Sequence, residues 1–431
     1  MHFPLMARDP YQALRFREYR LLLIGSFVAS VGEQMLTLAI GWELYERTHS
    51  AFLLGLVGLI QLFPALLLLP YGGFAADRYS RKRILVLAQA VLIIASLGLA
   101  AVSLWHGALV LVYVCLLLIG SATAFITPAS TALLAQIVPE DVFENAATWS
   151  SSSWQLATVI GPALGGVMLA WISSSAFIYV LHAVMALTFA LLLLPLRVRP
   201  LNRRDQQRKE RHAIWRSLGE GVSFLRHTPI LLAAMTLDLF AVLFGGATTL
   251  LPVFADEVLR VGPEGLGWLR AAPSIGALCM AFFVAHRPPL KRAGFTLLLS
   301  VIGFGVATIL FGLSRSFWLS LLVLFLLGGL DNLSVVIRET LALTRTPDEM
   351  RGRVAALNGL FVNASSQLGG FESGLMAQLF GPTLSVVGGG IGTIIVVLIV
   401  ALIWPELRRL RTLREVSAPP VQDVLQQENE V

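Results

Sequence analysis

Twelve long apolar stretches dominate this sequence of 431 residues. A helix that crosses the hydrocarbon core of a bilayer needs about 20 mostly apolar residues, and each stretch is about that long. The stretches are too long and too uniformly apolar for strands, because polar and apolar residues do not alternate along them. The sequence therefore predicts an all-α membrane protein with twelve transmembrane helices, at residues 21–42, 52–75, 84–104, 108–127, 148–171, 176–195, 230–254, 265–285, 294–313, 317–337, 355–380 and 384–404.

The composition excludes several other classes of protein. Hydrophobic residues make up 56% of the chain and charged residues 13%, whereas a soluble domain carries about 25% charged residues. This excess of apolar side chains rules out a soluble enzyme and a disordered chain. Both cysteines, Cys115 and Cys279, lie inside apolar stretches, so neither a disulfide framework nor a cysteine-rich metal site is expected. No cleavable signal peptide is expected, because the basic N-terminus leads directly into a full-length span.

The positive charges predict the orientation in the membrane. If the N-terminus and alternate loops share one side, 28 of the 32 lysines and arginines lie on that side. Lysine and arginine are enriched in cytoplasmic loops. We therefore predict a multi-pass protein of the cell membrane, expected to be a bacterial inner membrane, with both termini in the cytoplasm. The net charge of +6 is then an orientation signal and does not indicate a nucleic-acid partner.

Residues 197–228 form a linker that contains nine basic residues and Pro200. A nucleic-acid-binding arm is one interpretation. The favoured one is a cytoplasmic linker with an amphipathic helix on the anionic inner leaflet. The predicted domains are a first six-helix bundle over 1–196, this linker, a second six-helix bundle over 229–404 and a tail over 405–431. The apolar residues of the predicted linker helix are Trp215, Leu218, Val222 and Leu225.

Several features of the first bundle recur in the second at a nearly constant offset. Because six is an even number, both halves would enter the membrane from the same side and would be parallel repeats. Such an arrangement places a substrate site between the halves, near the midplane of the membrane. The corresponding residues are Pro64 and Pro273, Arg78 and Arg287, and Lys82 and Lys291 at an offset of 209, and Pro139 and Pro347, Gly161 and Gly369, and Gly166 and Gly374 at an offset of 208.

The segment 73–83 joins the second and third spans. Gly73 would let the backbone of another helix approach closely, and Asp77 could face a helix N-terminus or an arginine. The order Gly-x-x-x-Asp-Arg-x-x-Arg-Lys resembles the loop 2–3 signature of the major facilitator superfamily. That resemblance implies a lock on the cytoplasmic helix ends in the outward-facing state, and the second-half copy has His286 in place of the acid. The residues that would form the lock are Gly73, Asp77, Arg78, Arg81 and Lys82.

A glycine and proline pattern marks the fifth span. The proline removes a backbone donor and kinks the helix, while the glycines permit close packing or bending. The pattern resembles the antiporter signature of the same superfamily, which implies export rather than uptake. The residues of the pattern are Gly161, Pro162, Gly165 and Gly166.

Segments 237–254, 265–273 and 338–353 resemble the enterobactin-exporter-like branch of the superfamily, whose substrates include siderophores and drugs.

Ionisable residues inside a span are functional hypotheses by default, because a charge in lipid is unfavourable. Glu33, Asp238 and Glu372 are the first candidates for proton binding or cargo contact. An acid paired with Arg270 or Arg338 would have a structural role instead, and that alternative stays open. The fourth span lacks the arginine that many proton-driven relatives carry. The whole set for the substrate or proton pathway is Glu33, Asp238, Arg270, Asp331, Arg338, Asn358 and Glu372.

The sequence thus predicts a secondary active transporter that exports a small amphipathic molecule by alternating access, in exchange for protons. A broad-specificity multidrug efflux pump is an alternative within transport. A membrane-embedded enzyme and a transport-fold sensor are alternatives from other classes, although no phosphate-binding loop or Gly-x-Ser-x-Gly pattern supports an enzyme. Neither a cofactor nor a metal is expected, and a monomer is expected.

Overall fold

The computed structural model describes residues 9–198, 213–286 and 292–410. Within helices the description leaves out a few side chains, and that of Asp77 is one of them. The described residues form helices and connecting turns, and no strand is present among them.

Six long helices form the first half of the chain. Each follows one of the predicted apolar stretches, and the ends agree to within six residues except that α4 continues ten residues beyond residue 127. The turns after α1, α3 and α5 contain residues with left-handed backbone, His49, His106 and Ser173, whose φ angles are 46°, 51° and 51°. The helices are α1 (Arg17–Thr48), α2 (Ala51–Arg78), α3 (Arg81–Leu104), α4 (Leu109–Ile137), α5 (Phe143–Ile172) and α6 (Ser175–Leu193), and two short 3₁₀ turns cover Ala13–Arg15 and Glu140–Val142.

The second half begins with a short linker helix and continues with a further series of long helices. A one-turn helix ends the described part of the chain. The helices are α7 (Ala213–His227), α8 (Pro229–Phe244), α9 (Gly262–Ala285), α10 (Ala293–Leu313), α11 (Phe317–Arg345), α12 (Asp348–Phe380), α13 (Pro382–Ile403) and α14 (Pro405–Arg409).

The seventh predicted span, 230–254, is not one continuous helix. Regular helix ends at Phe244, and the chain continues as a 3₁₀ segment (Gly246–Leu250), a single α turn and a π turn (Phe254–Val258). Two causes lie in the sequence. Pro252 has no N–H for a helical bond, and Gly246 lets another backbone approach, since a Cβ there would lie 2.4 Å from the Gly369 carbonyl oxygen.

Within the described part of the chain, eleven segments are long and apolar enough to cross a membrane. The twelfth predicted span, 355–380, lies inside α12, which has 33 residues and is long enough to cross at 1.5 Å per residue. Polar residues such as Asn358, Asn363 and Glu372 keep it out of the apolar set. The chain is an all-α, multi-pass membrane protein.

The described residues fall into two compact units, and each exceeds the half predicted for it by a short segment. The end of α1 and the start of α2 belong to the second unit, while the start of α9 belongs to the first. The predicted domain boundaries on either side of the linker, at residues 196 and 229, stay predictions. The first unit consists of the residues up to Glu43, Ile60–Glu210 and Gly262–Ala271, and the second of Leu44–Leu59, Arg211–Val261 and the residues from Ala272 onward.

Each unit has its own apolar core. In the first, residues of α1, α3, α4 and α6 pack together, among them the fully buried Tyr19, Leu85 and Leu193. In the second, residues of α8, α10, α11 and α13 do so, among them Leu237 and Leu297. A polar side chain buried in such a core needs a hydrogen-bond or charge partner.

The linker helix α7 packs on protein, a contact that the sequence analysis does not predict, and its place on the inner leaflet stays a prediction. Leu225 is 3% exposed and clusters with Val354 and Leu357 of α12. Glu220 forms a 2.6 Å ion pair with Arg353 beside this cluster. The side chains of Trp215 and Leu218 lie outside the described residues, as does the chain over 199–212.

Candidate functional site

A buried ion pair joins α8 to α11 inside the second unit. The guanidinium of Arg338 contacts the carboxylate of Asp238 directly, and the two side chains are 12% and 7% exposed. Asp331 precedes Arg338 by seven residues on α11, which puts the two side chains on one face, two turns apart. A charge pair this well buried is stable only while both partners are present.

These charged residues surround a small cavity. Its polar lining consists of Asp238, Asp331, Ser334 and Arg338, and the rest of the lining is apolar and includes Phe304. The cavity measures about 10 Å³, which is room for one water molecule. In this conformation the cluster therefore has space for water or a small ion and none for an organic cargo.

The charges of the cluster do not balance. Arg338 compensates the charge of Asp238, whereas Asp331 forms no hydrogen bond or ion pair within the described part of the chain. With both carboxylates ionised the cluster carries one excess negative charge, in surroundings where an uncompensated charge is costly. A proton or a small cation in the cluster would remove that excess.

The structure brings together three residues of the predicted pathway set, Asp238, Asp331 and Arg338. Of the two arginines left open as partners, Arg338 is the one that pairs with Asp238. Arg338 is also one of the 28 basic residues assigned to the cytoplasmic side, and as a loop charge that assignment is wrong, because Arg338 lies within α11 and is largely buried. Arg270 is half-buried in the first unit and does not line the cavity.

Glu33 and Glu372 also lie outside this cluster. Glu33 is exposed on α1, and Thr37 one turn later donates a 2.8 Å hydrogen bond to the Glu33 backbone carbonyl. Glu372 is half-buried on α12 and accepts a long 3.5 Å hydrogen bond from Ser373. Asn358 is half-buried on the same unbroken helix, two seven-residue repeats (about four turns) before Glu372. Glu33 and Glu372 stay candidates for the substrate or proton pathway, and neither has a partner of opposite charge among the described residues. Asn358 stays a candidate for the same pathway.

The predicted close approach at Gly73 is wrong, and the neighbouring Gly72 makes it instead. A Cβ on Gly73 would meet nothing within 4 Å, whereas one on Gly72 would lie 2.4 Å from the Ala124 carbonyl oxygen of α4. Consecutive helical residues point about 100° apart, so only one of two adjacent glycines can face a given neighbour.

The basic residues of the corner between α2 and α3 bind backbone carbonyls at helix ends. Arg81 donates hydrogen bonds to the carbonyls of Ala76 and Ala132, at 3.2 Å and 2.8 Å. Lys82 donates to the carbonyls of Leu194 and Leu196, at 2.5 Å and 3.1 Å. These bonds connect the start of α3 to α4 and to the residues after α6. Arg78 is exposed and lies over the Phe74 ring at 5.8 Å.

The glycine pattern of α5 lies where other backbones pass close by. A Cβ on Gly161 would lie 2.9 Å from the Val31 carbonyl oxygen of α1, and one on Gly166 would lie 2.7 Å from the Gly267 Cα of α9. Gly165 faces Met35, and α5 continues through Pro162 without a break. All of these residues belong to the first unit.

One polar contact of the second unit was missed by the sequence analysis. The hydroxyl of Tyr45 donates a short hydrogen bond to the carboxylate of Glu257. Tyr45 is 2% exposed at the end of α1, and Glu257 belongs to the π turn that follows α8. No periodic pattern in the sequence indicates this pair, because helical periodicity relates residues of one helix and these two residues are 212 positions apart.

A bundle of membrane-spanning helices with a buried charge cluster is typical of membrane transport proteins. Residues 22–294 match the Major Facilitator Superfamily, and the chain belongs to that family. The protein is a transporter and not an enzyme.

Curated relatives agree with the assignment to this transporter family. The chain is 29% identical over 397 residues to the Enterobactin exporter EntS of Shigella boydii serotype 4 (strain Sb227), covering 91% of this chain and 93% of the relative. The same values hold for the Enterobactin exporter EntS of Escherichia coli O1:K1 / APEC.

Two solved structures share the fold at low identity. A POT family transporter in complex with 5-aminolevulinic acid has a TM-score of 0.69 at 14% identity and covers 91% of this chain and 97% of its own. A bacterial homolog of the human lysosomal transporter Spinster has a TM-score of 0.66 at 14% identity and covers 91% and 96%. At this identity the likeness concerns the fold alone.

Proposed function

We propose that this protein exports a small amphipathic molecule, a siderophore or a drug-like compound, by alternating access in exchange for protons. The similarity to enterobactin exporters along most of the chain supports an exporter of such a molecule. The antiporter-like glycine pattern of α5 supports export over uptake. The distribution of lysine and arginine supports a cell membrane, expected to be a bacterial inner membrane, with both termini in the cytoplasm.

The observation that carries the coupling is the position of Asp331 beside the Asp238–Arg338 pair, around room for one water molecule. When Asp331 binds a proton, the cluster is neutral and the ion pair stays intact. When Asp331 is ionised, it competes with Asp238 for the single guanidinium. Because these residues lie on α8 and α11, proton binding would change the attraction between the two helices. A coupling ion acts in this way when it favours one conformation over another.

The corner between α2 and α3 would control the change of conformation. Arg81 and Lys82 already hold helix ends through carbonyls, and the resemblance assigns Asp77 as their acidic counterpart. The Asp77 side chain lies outside the described residues, so its role rests on the sequence alone.

Transport by purified protein in proteoliposomes tests the coupling. Two probes represent the two cargo classes, enterobactin for catecholate siderophores and ethidium for cationic drugs. We expect an imposed pH gradient to drive uptake of at least one probe by the wild type. Asp331→Asn should abolish most of this driven flux, because the proton-binding group is lost, and should retain exchange of cargo at equal pH.

Ser334→Ala is the matched control, since it changes the same cavity without changing its charge. It should keep the pH-driven flux. If Asp331→Asn responded to the gradient as the wild type does, coupling at this cluster would be wrong. Flux of ethidium without flux of enterobactin would favour the alternative, a multidrug pump.

A further inference from the structure

The junction between α1 and α2 is the part of the first half that clusters with the second unit. The segment Leu44–Leu59, called here the junction hairpin, belongs to that unit, whereas most of α1 and α2 belongs to the other one. Its contacts are made with α12 and with the π turn after α8. They therefore connect the predicted halves of a transporter whose proposed function requires the halves to move.

The contacts of the junction hairpin with α12 are mostly apolar and close. A Cβ on Gly374 would lie 2.8 Å from the Gly55 Cα and 2.6 Å from the Ala51 carbonyl oxygen. The rings of Phe52 and Phe371 meet edge to face at 5.9 Å. Dispersion across such a surface is weak for each atom pair and has no preferred angle. One hydrogen bond accompanies it at an exposed position, where the Ser50 hydroxyl donates to the Gln378 side-chain oxygen of α12 at 3.1 Å.

The Tyr45–Glu257 hydrogen bond adds a directional contact beside this surface. Its donor is almost fully buried and its acceptor is a carboxylate, and a hydrogen bond to an ionised acceptor is about twice as strong as a neutral one. The Tyr45 ring is held in place by an edge contact with His49 at 5.6 Å.

The backbone that carries Glu257 is irregular in a way that positions it. The π turn spans Phe254–Val258, and Arg260 just beyond it has a left-handed φ of 54°. At the start of the turn, the buried Phe254 ring packs on Phe311 of α10 at 4.7 Å. Single π turns inside helices occur frequently at functional sites, and non-glycine residues with positive φ persist only where the surroundings hold them.

We infer that the Tyr45–Glu257 hydrogen bond stabilises the conformation seen here by holding the junction hairpin against the π turn after α8. Tyr45 and Glu257 are thus positioning residues, which set how often the hairpin separates from α12. This inference rests on the proposed function only in that transport requires such a separation. It concerns the conformational equilibrium and is independent of the cargo and of the coupling ion.

Thiol labelling of the junction hairpin measures the separation directly. Ala51→Cys, at a position 7% exposed, is introduced into a Cys115→Ser, Cys279→Ser background, and the protein is treated with a hydrophilic maleimide in nanodiscs. In the parent the rate should be slow. Tyr45→Phe and Glu257→Ala should each raise it about tenfold, the effect of losing one hydrogen bond to a charged group. Glu257→Gln should raise it less, because a neutral acceptor remains.

Two controls make the result specific. Tyr19→Phe removes another buried tyrosine hydroxyl, which donates a 2.7 Å bond to Ala146 in the first unit, and should leave the labelling rate unchanged. The Tyr45→Phe, Glu257→Ala double variant should label no faster than either single variant, because both remove the same bond. Native Cys115 is 8% exposed, and in a parallel Tyr45→Phe variant it should stay unreactive, which separates hairpin opening from unfolding.

The inference is overturned if Tyr45→Phe labels at the parent rate, if the two substitutions add, or if Cys115 becomes reactive together with residue 51. Labelling requires no transport. Faster labelling in a chain that moves neither probe would therefore contradict the proposed function and leave this inference standing. Transport with unchanged labelling would contradict the inference alone.

Discussion

Replacing Arg338 with methionine is the sharpest test of the buried cluster. The substitution keeps most of the side-chain length and removes the cation. Two carboxylates, Asp238 and Asp331, would then line a cavity of about 10 Å³ with no positive charge among its lining residues. Removing one partner of a buried pair typically costs about 3–5 kcal/mol, because the other charge stays buried without compensation. We expect Arg338→Met to lower the free energy of unfolding by that amount.

The surface ion pair of the linker helix gives the matched comparison. Arg353 and Glu220 are 38% and 42% exposed, whereas Arg338 and Asp238 are 12% and 7% exposed. Exposed pairs contribute about 0–1 kcal/mol. Arg353→Met should therefore cost at most about 1 kcal/mol, although it is the same chemical change.

A double-variant cycle separates the pair from the rest of the cluster. Asp238→Asn alone should cost less than Arg338→Met, because Arg338 retains Asp331 as a nearby partner. The combined Asp238→Asn, Arg338→Met variant should be more stable than Arg338→Met alone by about 2 kcal/mol, since residues in one charge network are coupled by about 0.5–3 kcal/mol.

Unfolding by sodium dodecyl sulfate in mixed micelles, followed by tryptophan fluorescence, gives these free energies. If Arg338→Met and Arg353→Met cost the same, burial of the Asp238–Arg338 pair would not determine its contribution, and the reasoning would be refuted. Simple addition of the two single effects in the double variant would also refute it, because the charges would then act independently.

Two further substitutions test the packing and the corner between α2 and α3. Gly276→Ala should destabilise the protein by about 1–3 kcal/mol, the usual cost of overpacking, because its Cβ would lie 1.8 Å from the Phe325 carbonyl oxygen; Gly388→Ala, whose Cβ would meet nothing within 4 Å, should be neutral or stabilising in the same unfolding assay. Asp77→Asn should lower the transport rate about tenfold, as expected for the loss of one charge-assisted contact. Membrane fractionation should show normal insertion of this variant. If its flux equalled that of the wild type, the corner would serve only to fix the orientation in the membrane.

Hydrophobic length predicted most of the fold, because a membrane-spanning helix satisfies its own backbone and needs no information from distant residues. It did not predict the break after Phe244. That break depends on how close α12 comes to Gly246, and approach distances between helices are not encoded in an apolar run.

Helical spacing accounts for half of the charge cluster. Seven residues separate Asp331 from Arg338, which places both on one face of α11, whereas the sequence leaves the partner of Asp238 open between Arg270 and Arg338. Only the packing of α8 against α11 decides between the two arginines. The same limit explains the choice of Gly72 over Gly73, since a rotation of about 100° separates adjacent residues and the sequence does not state which of them faces α4.

Stability alone does not account for the charges between α8 and α11. Replacing a buried ion pair with apolar residues of similar volume is often neutral or stabilising, so a bundle that carries both Asp238→Leu and Arg338→Met should fold at least as well. What such a bundle would lose is the dependence of the α8–α11 attraction on the protonation of Asp331, because no guanidinium would remain for two carboxylates to share. This double variant should therefore retain the unfolding free energy of the wild type and abolish pH-driven flux. A variant that kept both would show that the pair is dispensable for coupling.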